Sequence, residues 1–228
     1  MKRLLLATFA LALAATAATA QTARRSVSIL GDSYSTFAGC VTPAENLVYY
    51  PSLDVCDAEQ TWWSILVGEC GLRLEHNCSY SGSTVCNTGY DKADYSDRSF
   101  ITRASDIGSP DIILVFGGTN DSWAGAPVGE NTYGDWTAES LYSFRPALCK
   151  LFDTLLREHP EAAIFNIENT GLSEQIASAI EEICDRYGIA NIRLHDIDKQ
   201  HGHPTAEGMR RIAAQVGAAI RPEETGRQ

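Results

Sequence analysis

Residues 111–116, Asp-Ile-Ile-Leu-Val-Phe, form an almost unbroken apolar run that stops at Gly117-Gly118. A run this short, without polar alternation and closed by two glycines, reads as a strand buried on both faces. Such a strand belongs in a mostly parallel sheet with helices above and below it.

The rest of the chain fits that arrangement. Residues 26–30 (Ser-Val-Ser-Ile-Leu) read as a first strand ending at a Gly-Asp-Ser turn, residues 162–167 and 192–197 supply two more, and 72–77 is a weaker fifth. Helical patterns occupy 61–69, 138–158, 173–187 and 205–220. In the third of these, Ile176, Ile180, Ile183 and Tyr187 recur at spacings of four, three and four, which makes one apolar stripe. Strands alternating with helices indicate βαβ units, and in such sheets ligands bind beyond the carboxyl ends of the strands. No repeat or low-complexity linker interrupts the alternation, so residues 21–228 read as one domain.

The first twenty residues are read separately. Met1-Lys2-Arg3 precedes an apolar stretch to about Ala14 and then Ala18-Thr19-Ala20, the pattern of a secretory signal peptide cleaved after Ala20. The apolar part is shorter than the roughly 20 residues a spanning helix needs. The expectation is therefore a secreted or periplasmic protein with no stable membrane insertion. Seven cysteines (40, 56, 70, 78, 86, 149 and 184) in an exported chain predict one to three disulfides, with at least one thiol left over. Their irregular spacing, with no Cys-x-x-Cys pair, argues against structural zinc. The net charge of −11, with no basic run, excludes nucleic acid as the expected partner.

Four short segments carry chemistry, and three of them sit at strand exits. In Gly31-Asp32-Ser33-Tyr34-Ser35 the strand stops at a glycine, and Ser33 is presented where a following helix begins. In Ser81-Gly82-Ser83-Thr84, Gly82 has no side chain to keep its N–H away from a substrate oxygen. In Gly117-Gly118-Thr119-Asn120-Asp121, Asn120 offers an amide donor to an oxyanion and Asp121 caps or holds the loop. The last, Asp198-Lys199-Gln200-His201-Gly202-His203-Pro204-Thr205, opens the final helix with Thr205 as its N-cap. A histidine held there suits a general base for a serine, while Asp198, His201 and His203 together offer a metal-binding alternative.

In this order GDSYS, SGST, GGTND and HPTAEGM resemble the four blocks of the SGNH hydrolase superfamily, the GDSL-type esterases and lipases. The resemblance spans about residues 26–220. It implies a flavodoxin-like three-layer α/β/α sandwich with a mostly parallel five-stranded sheet and no cofactor. It also implies that Ser33 is the nucleophile, that His203 is its base, and that the N–H groups of Ser33 and Gly82 and the amide of Asn120 form the oxyanion hole. One position departs from the family pattern. The acid normally lies three residues before the histidine, where this chain has Gln200. Asp198 takes the role if the chain between bulges, or His201 is the base with Asp198 as its acid. If no acid reaches His203, a backbone carbonyl orients it.

The expected activity is hydrolysis of O-acyl esters with short acyl groups, the substrate being a small-molecule or glycan ester. Tyr49, Tyr50 and Trp123, with Trp62, Trp63 and Trp136 as further candidates, are read as walls of a cleft, because aromatic faces stack on sugar rings. A lipase, lysophospholipase or thioesterase of the same fold and a non-catalytic glycan-binding protein are the alternatives. Oligomeric state is not legible.

Overall fold

In the computed structural model, which describes residues 24–221, five strands form one sheet. These are β1 (Ser26–Gly31), β2 (Arg73–Asn77), β3 (Ile112–Phe116), β4 (Ala163–Glu168) and β5 (Ala190–Arg193), in the order β2-β1-β3-β4-β5 with every pair parallel. The proposed leader, residues 1–20, lies outside the described residues.

Six helices join and cover the sheet: α1 (Trp62–Glu69), α2 (Phe100–Arg103), α3 (Thr119–Ala124), α4 (Phe144–Glu158), α5 (Glu174–Tyr187) and α6 (Ala206–Ile220). One apolar layer joins Val27, Ile29, Ile112, Leu114 and Phe116 to Trp62 and Leu66 of α1 and Met209, Ile212 and Val216 of α6. The opposite layer joins Leu30, Ile113, Val115 and Ile164 to Phe100 of α2, Leu148, Leu151 and Phe152 of α4, and the Ile176/Ile180/Ile183 stripe of α5. The alternation of β3 between these layers is why its sequence is apolar throughout: both faces are core. Each such side chain contributes roughly 1.5–3 kcal/mol by leaving water.

Two boundaries differ from expectation. The helix expected over 138–158 begins at Phe144; before it, Ser140–Tyr142 form a separate 3-10 turn and Ser143 is extended. Pro146 lies in the first turn of α4, where its missing N–H has no helical acceptor to lose. The strand expected over 192–197 is Ala190–Arg193, and its last bond to β4 runs from Leu194 N to the Glu168 carbonyl. Beyond it the His195 main chain is taken up by the Gln215 amide, and Asp196 turns to a positive φ.

The expected disulfides are not formed. All seven cysteines are free; Cys78, Cys86, Cys149 and Cys184 are buried as small apolar side chains of one core layer. Among the described residues no helix is long and apolar enough to cross a membrane.

Candidate active site

The strand order reverses direction between β1 and β3, and a crevice opens at the carboxyl ends of strands on either side of such a switch point. Ser33 follows β1 and Asn120 follows β3, so both stand at this crevice. Ser33 begins a single 3-10 turn, Ser33–Ser35, rather than a helix, and the Asp32 carboxylate caps it by accepting from Tyr34 N at 3.0 Å.

Gly82 lies at φ +81°, a conformation that favours glycine, whereas a Cβ there would meet open space. Glycine is therefore required by backbone conformation and not by crowding. Its loop is tied to β1 by Tyr80 N donating to the Gly31 carbonyl at 3.1 Å, and to α3 by Asn120 Nδ2 donating to the Ser83 carbonyl at 3.0 Å. Among the described residues neither the Ser33 nor the Gly82 N–H is taken by a protein acceptor. Asp121 holds the loop, as one of its two expected roles: it accepts from Val85 N at 2.8 Å and Cys86 N at 3.2 Å.

His203 reaches the site from a two-strand hairpin that the sequence showed only as a loop. β6 (Lys199–Gln200) and β7 (His203–Pro204) pair antiparallel, Gln200 opposite His203, across the two-residue turn His201-Gly202 with φ of +50° and +80°. Positive φ at both turn residues is the hairpin geometry that matches strand twist. The outcome is a 2.9 Å contact between Ser33 Oγ and His203 Nε2, with His203 Nδ1 3.3 Å from the His201 carbonyl.

Asp198 does not take part in this contact: its carboxylate accepts from the Thr205 hydroxyl, and its carbonyl accepts from Thr205 N. Gln200 pairs with His203 through the hairpin ladder, so the residue three positions upstream supports the main chain. Among the described residues no three His, Cys, Asp or Glu side chains cluster as metal ligands.

The aromatic residues separate into two groups. Trp123 is 45% exposed at the rim, edge-on to His203 with ring centroids 5.8 Å apart, and Leu47 and Val48 are also exposed. Tyr49 stacks flat on His203, 3.7 Å between centroids and 6° between planes. Tyr50, expected as a cleft wall, is fully buried, and its hydroxyl donates to the Pro204 carbonyl at 2.7 Å. Trp62 and Trp63 are likewise core, their indole N–H groups donating to Ser35, and Trp136 packs against the other core layer.

Sequence reasoning missed three residues. Tyr34 donates its hydroxyl to the Gly202 carbonyl, and Tyr90 donates to Asn120 Oδ1 at 2.7 Å. Arg103, wholly buried, donates to the carbonyls of Cys78, Gly31 (3.2 Å) and Arg98 (2.8 Å) and to Ser83 Oγ (2.7 Å). Tyr34 lies in the Gly-Asp-Ser-Tyr-Ser segment, which gives it no role of its own, Tyr90 and Arg103 lie in no motif, and each acts on a partner distant along the chain.

Buried charge sets the proton affinities. Burial pushes Asp32 up to about 7 even though Arg103 and Lys199 attract its anion, so desolvation outweighs both cations. Burial likewise raises Asp121 to about 6 and lowers Lys199 to about 8. His203 is held below its ordinary value, chiefly by burial, with a further contribution from Lys199.

The family model described as GDSL-like Lipase/Acylhydrolase matches residues 25–220. A candidate GDSL-like lipase from Bacteroides uniformis ATCC 8492 is 58% identical and superposes with a TM-score of 0.86, covering 87% of this chain and 96% of that one. A second, from Bacteroides ovatus ATCC 8483, is 48% identical with a TM-score of 0.86, covering 87% and 99%. A carbohydrate acetylesterase from Sinorhizobium meliloti shares the fold at 16% identity and a TM-score of 0.56, covering 86% and 98%. The chain matches no curated protein.

Proposed function

Because the chain belongs to the GDSL-like lipase/acylhydrolase family, we propose that it is a serine esterase hydrolysing short-chain O-acyl esters, with Ser33 as nucleophile and His203 as its base. The observation that carries this reading is the 2.9 Å contact between Ser33 Oγ and His203 Nε2 at the carboxyl edge of the sheet.

In the neutral imidazole, a proton on Nδ1 facing the His201 carbonyl leaves the Nε2 lone pair for Ser33 Oγ. Oγ attacks the ester carbonyl as its proton passes to Nε2. The oxyanion meets the N–H groups of Ser33 and Gly82 and the Asn120 amide, and one such donor is typically worth about 10²–10³ in turnover. The imidazolium returns its proton to the leaving alkoxide, and water activated by the neutral base then releases the acid. In this scheme Asp198 is no triad member, and Nδ1 faces the His201 carbonyl in its place. The depressed affinity of His203 supports the base role, since burial favours the neutral ring that accepts a proton.

The exposed face of Trp123 supports a sugar-linked short acyl ester, stacking the ring of the alcohol half. Tyr49 offers less than the sequence suggested, because one of its faces is taken by His203. Export with removal of residues 1–20 belongs to the same proposal, and mass spectrometry of the secreted chain tests it.

The deciding experiment is hydrolysis of p-nitrophenyl acetate, butyrate and octanoate by the protein, Ser33→Ala and His203→Ala, with and without chelator. Loss of turnover in both variants, insensitivity to chelator and a preference for acetate are expected. Turnover surviving in Ser33→Ala overturns the serine reading, and a preference for octanoate moves the substrate to lipids.

A further inference from the structure

The ring of His203 has no carboxylate behind it among the described residues. Its Nδ1 faces a neutral carbonyl at 3.3 Å; the nearest acid upstream, Asp198, is bonded to Thr205, and Glu207 downstream is bonded to Arg210 and Arg211. An acid in that place performs two duties: it fixes the plane of the imidazole, and it stabilises the positive charge that appears when the serine gives up its proton. Resting on the assignment of Ser33 and His203 above, the question is which group performs them here.

The main chain on both sides of His203 is pinned by tyrosine hydroxyls, Tyr34 on the Gly202 carbonyl and Tyr50 on the Pro204 carbonyl. Those bonds fix the backbone but leave the ring free to turn about its own bonds. The ring is held by Tyr49, face to face at 3.7 Å and nearly parallel, while Tyr34 is tilted against it at 5.5 Å and Trp123 meets it at 65°. Tyr49 is itself fixed in two ways. Its N–H donates to Thr36 Oγ1 at 2.9 Å, and that hydroxyl donates to the Ser33 carbonyl at 3.1 Å; its ring meets Tyr50 edge to face at 4.9 Å. The stack is thereby built on the same turn that presents the nucleophile.

An aromatic face carries the negative lobe of the ring quadrupole and attracts a cation lying over it, more strongly where water is excluded. We propose that Tyr49 is a positioning residue that takes over both duties of the absent acid: its ring face holds the imidazole plane toward Ser33 and stabilises the imidazolium formed during attack.

The groups facing His203 are Ser33 Oγ, the rings of Tyr34, Tyr49 and Trp123, the His201 carbonyl and, as the charged neighbour, Lys199 on β6. Lys199 and burial disfavour the imidazolium, and the Tyr49 face opposes them. Removing that face while keeping water out therefore lowers the affinity of His203 for its proton.

The test compares Tyr49→Phe, which keeps the face, with Tyr49→Leu, which keeps an apolar cover without one, in the full chain. Both are assayed on p-nitrophenyl acetate as a function of pH. Tyr49→Phe is expected within about twofold of the parent, and Tyr49→Leu about tenfold lower in kcat with KM little changed and its acid limb displaced downward. Labelling by a fluorophosphonate shows whether the Leu variant is folded: full stoichiometry at a reduced rate supports the proposal. If that variant does not fold, Tyr49→Trp decides, since a larger face raises the acid limb and an unmoved limb overturns the idea. The proposal alone fails if Ser33→Ala and His203→Ala are inactive while Tyr49→Leu matches Tyr49→Phe in kcat and in limb. Activity in Ser33→Ala is instead failure of the serine reading beneath it.

Discussion

On one side of Ser33, the loop from Tyr80 to Val85 is held by buried ionisable groups. Arg103 binds Ser83 Oγ and the strand-end carbonyls of Gly31 and Cys78, and Asp121 binds the N–H groups of Val85 and Cys86. On the other side, the hairpin bearing His203 is held by aromatic hydroxyls on main-chain carbonyls and by the face of Tyr49. The two solutions follow from what each side must hold still. A loop of Ser and Gly has few side chains to pack, so its order comes from hydrogen bonds, and charged donors and acceptors make the stronger ones. In the proposed mechanism His203 changes charge in every turnover, and a buried carboxylate network around it would couple its proton to others. Neutral aromatic support avoids that coupling.

The largest consequence expected from this contrast concerns Arg103. Burial draws its pKa down to about 10, so it remains charged at neutral pH while its donors serve four acceptors. Arg103→Met fills most of the volume but orphans those acceptors, and about 3 kcal/mol or more of stability is expected to be lost. Lysine, without the planar fork, is not expected to restore it. Urea denaturation of the two variants checks this; a Met variant as stable as the parent means the loop is ordered by packing after all.

Next in size is the pH dependence that buried acids impose. Asp32 ionises near 3.8 in an unfolded chain but at about 7 in the folded one, so the unfolded state loses its proton first. Its contribution is favourable below pH about 4 and is lost as pH rises through about 7. Asp121, at about 6, acts with the same sign over a narrower window. Asp32→Asn is therefore expected to gain on the parent by about 2 kcal/mol between pH of about 5 and about 8. Urea midpoints for both proteins at the two pH values measure it, and a constant difference would falsify the assignment. No comparable effect is expected from Tyr50→Phe on the aromatic side.

The same contrast explains what the sequence disclosed. The candidates Ser33 and Asn120 are legible because each follows an apolar strand run closed by glycine, whereas Gly82 is marked only by its place in a Ser-Gly loop after the weaker strand. The parallel sheet is legible because β3 is apolar on both faces. His201-Gly202 carried a weaker cue: only one glycine marked a turn whose two residues both take positive φ, so Gln200 read as a departure from the expected acid position and not as a strand partner of His203. Arg103 carries no motif, and its four acceptors come from the end of β1, from Cys78 just past β2 and from two loops. Tyr50 reads as a cleft aromatic until the fold buries it against Pro204. Motifs report local geometry, and these residues act over separations of up to 154 positions, which no local pattern encodes.

The smallest effect tests how far the hydrogen-bonded side depends on single neutral links. Tyr90 donates to Asn120 Oδ1 while Asn120 Nδ2 donates to the Ser83 carbonyl, so the amide is held from both ends and its remaining N–H is aimed. Tyr90→Phe removes one end. A net bond of this kind is worth about 1 kcal/mol, so about a fivefold loss in kcat with little change in KM is expected, against the 10²–10³ of losing the donor itself in Asn120→Ala. The two losses are not additive if Tyr90 works through Asn120: in an Asn120→Ala background, Tyr90→Phe costs nothing further. Full additivity in that cycle assigns Tyr90 a separate role at the rim of the cleft, and the oxyanion side then needs charged anchors alone.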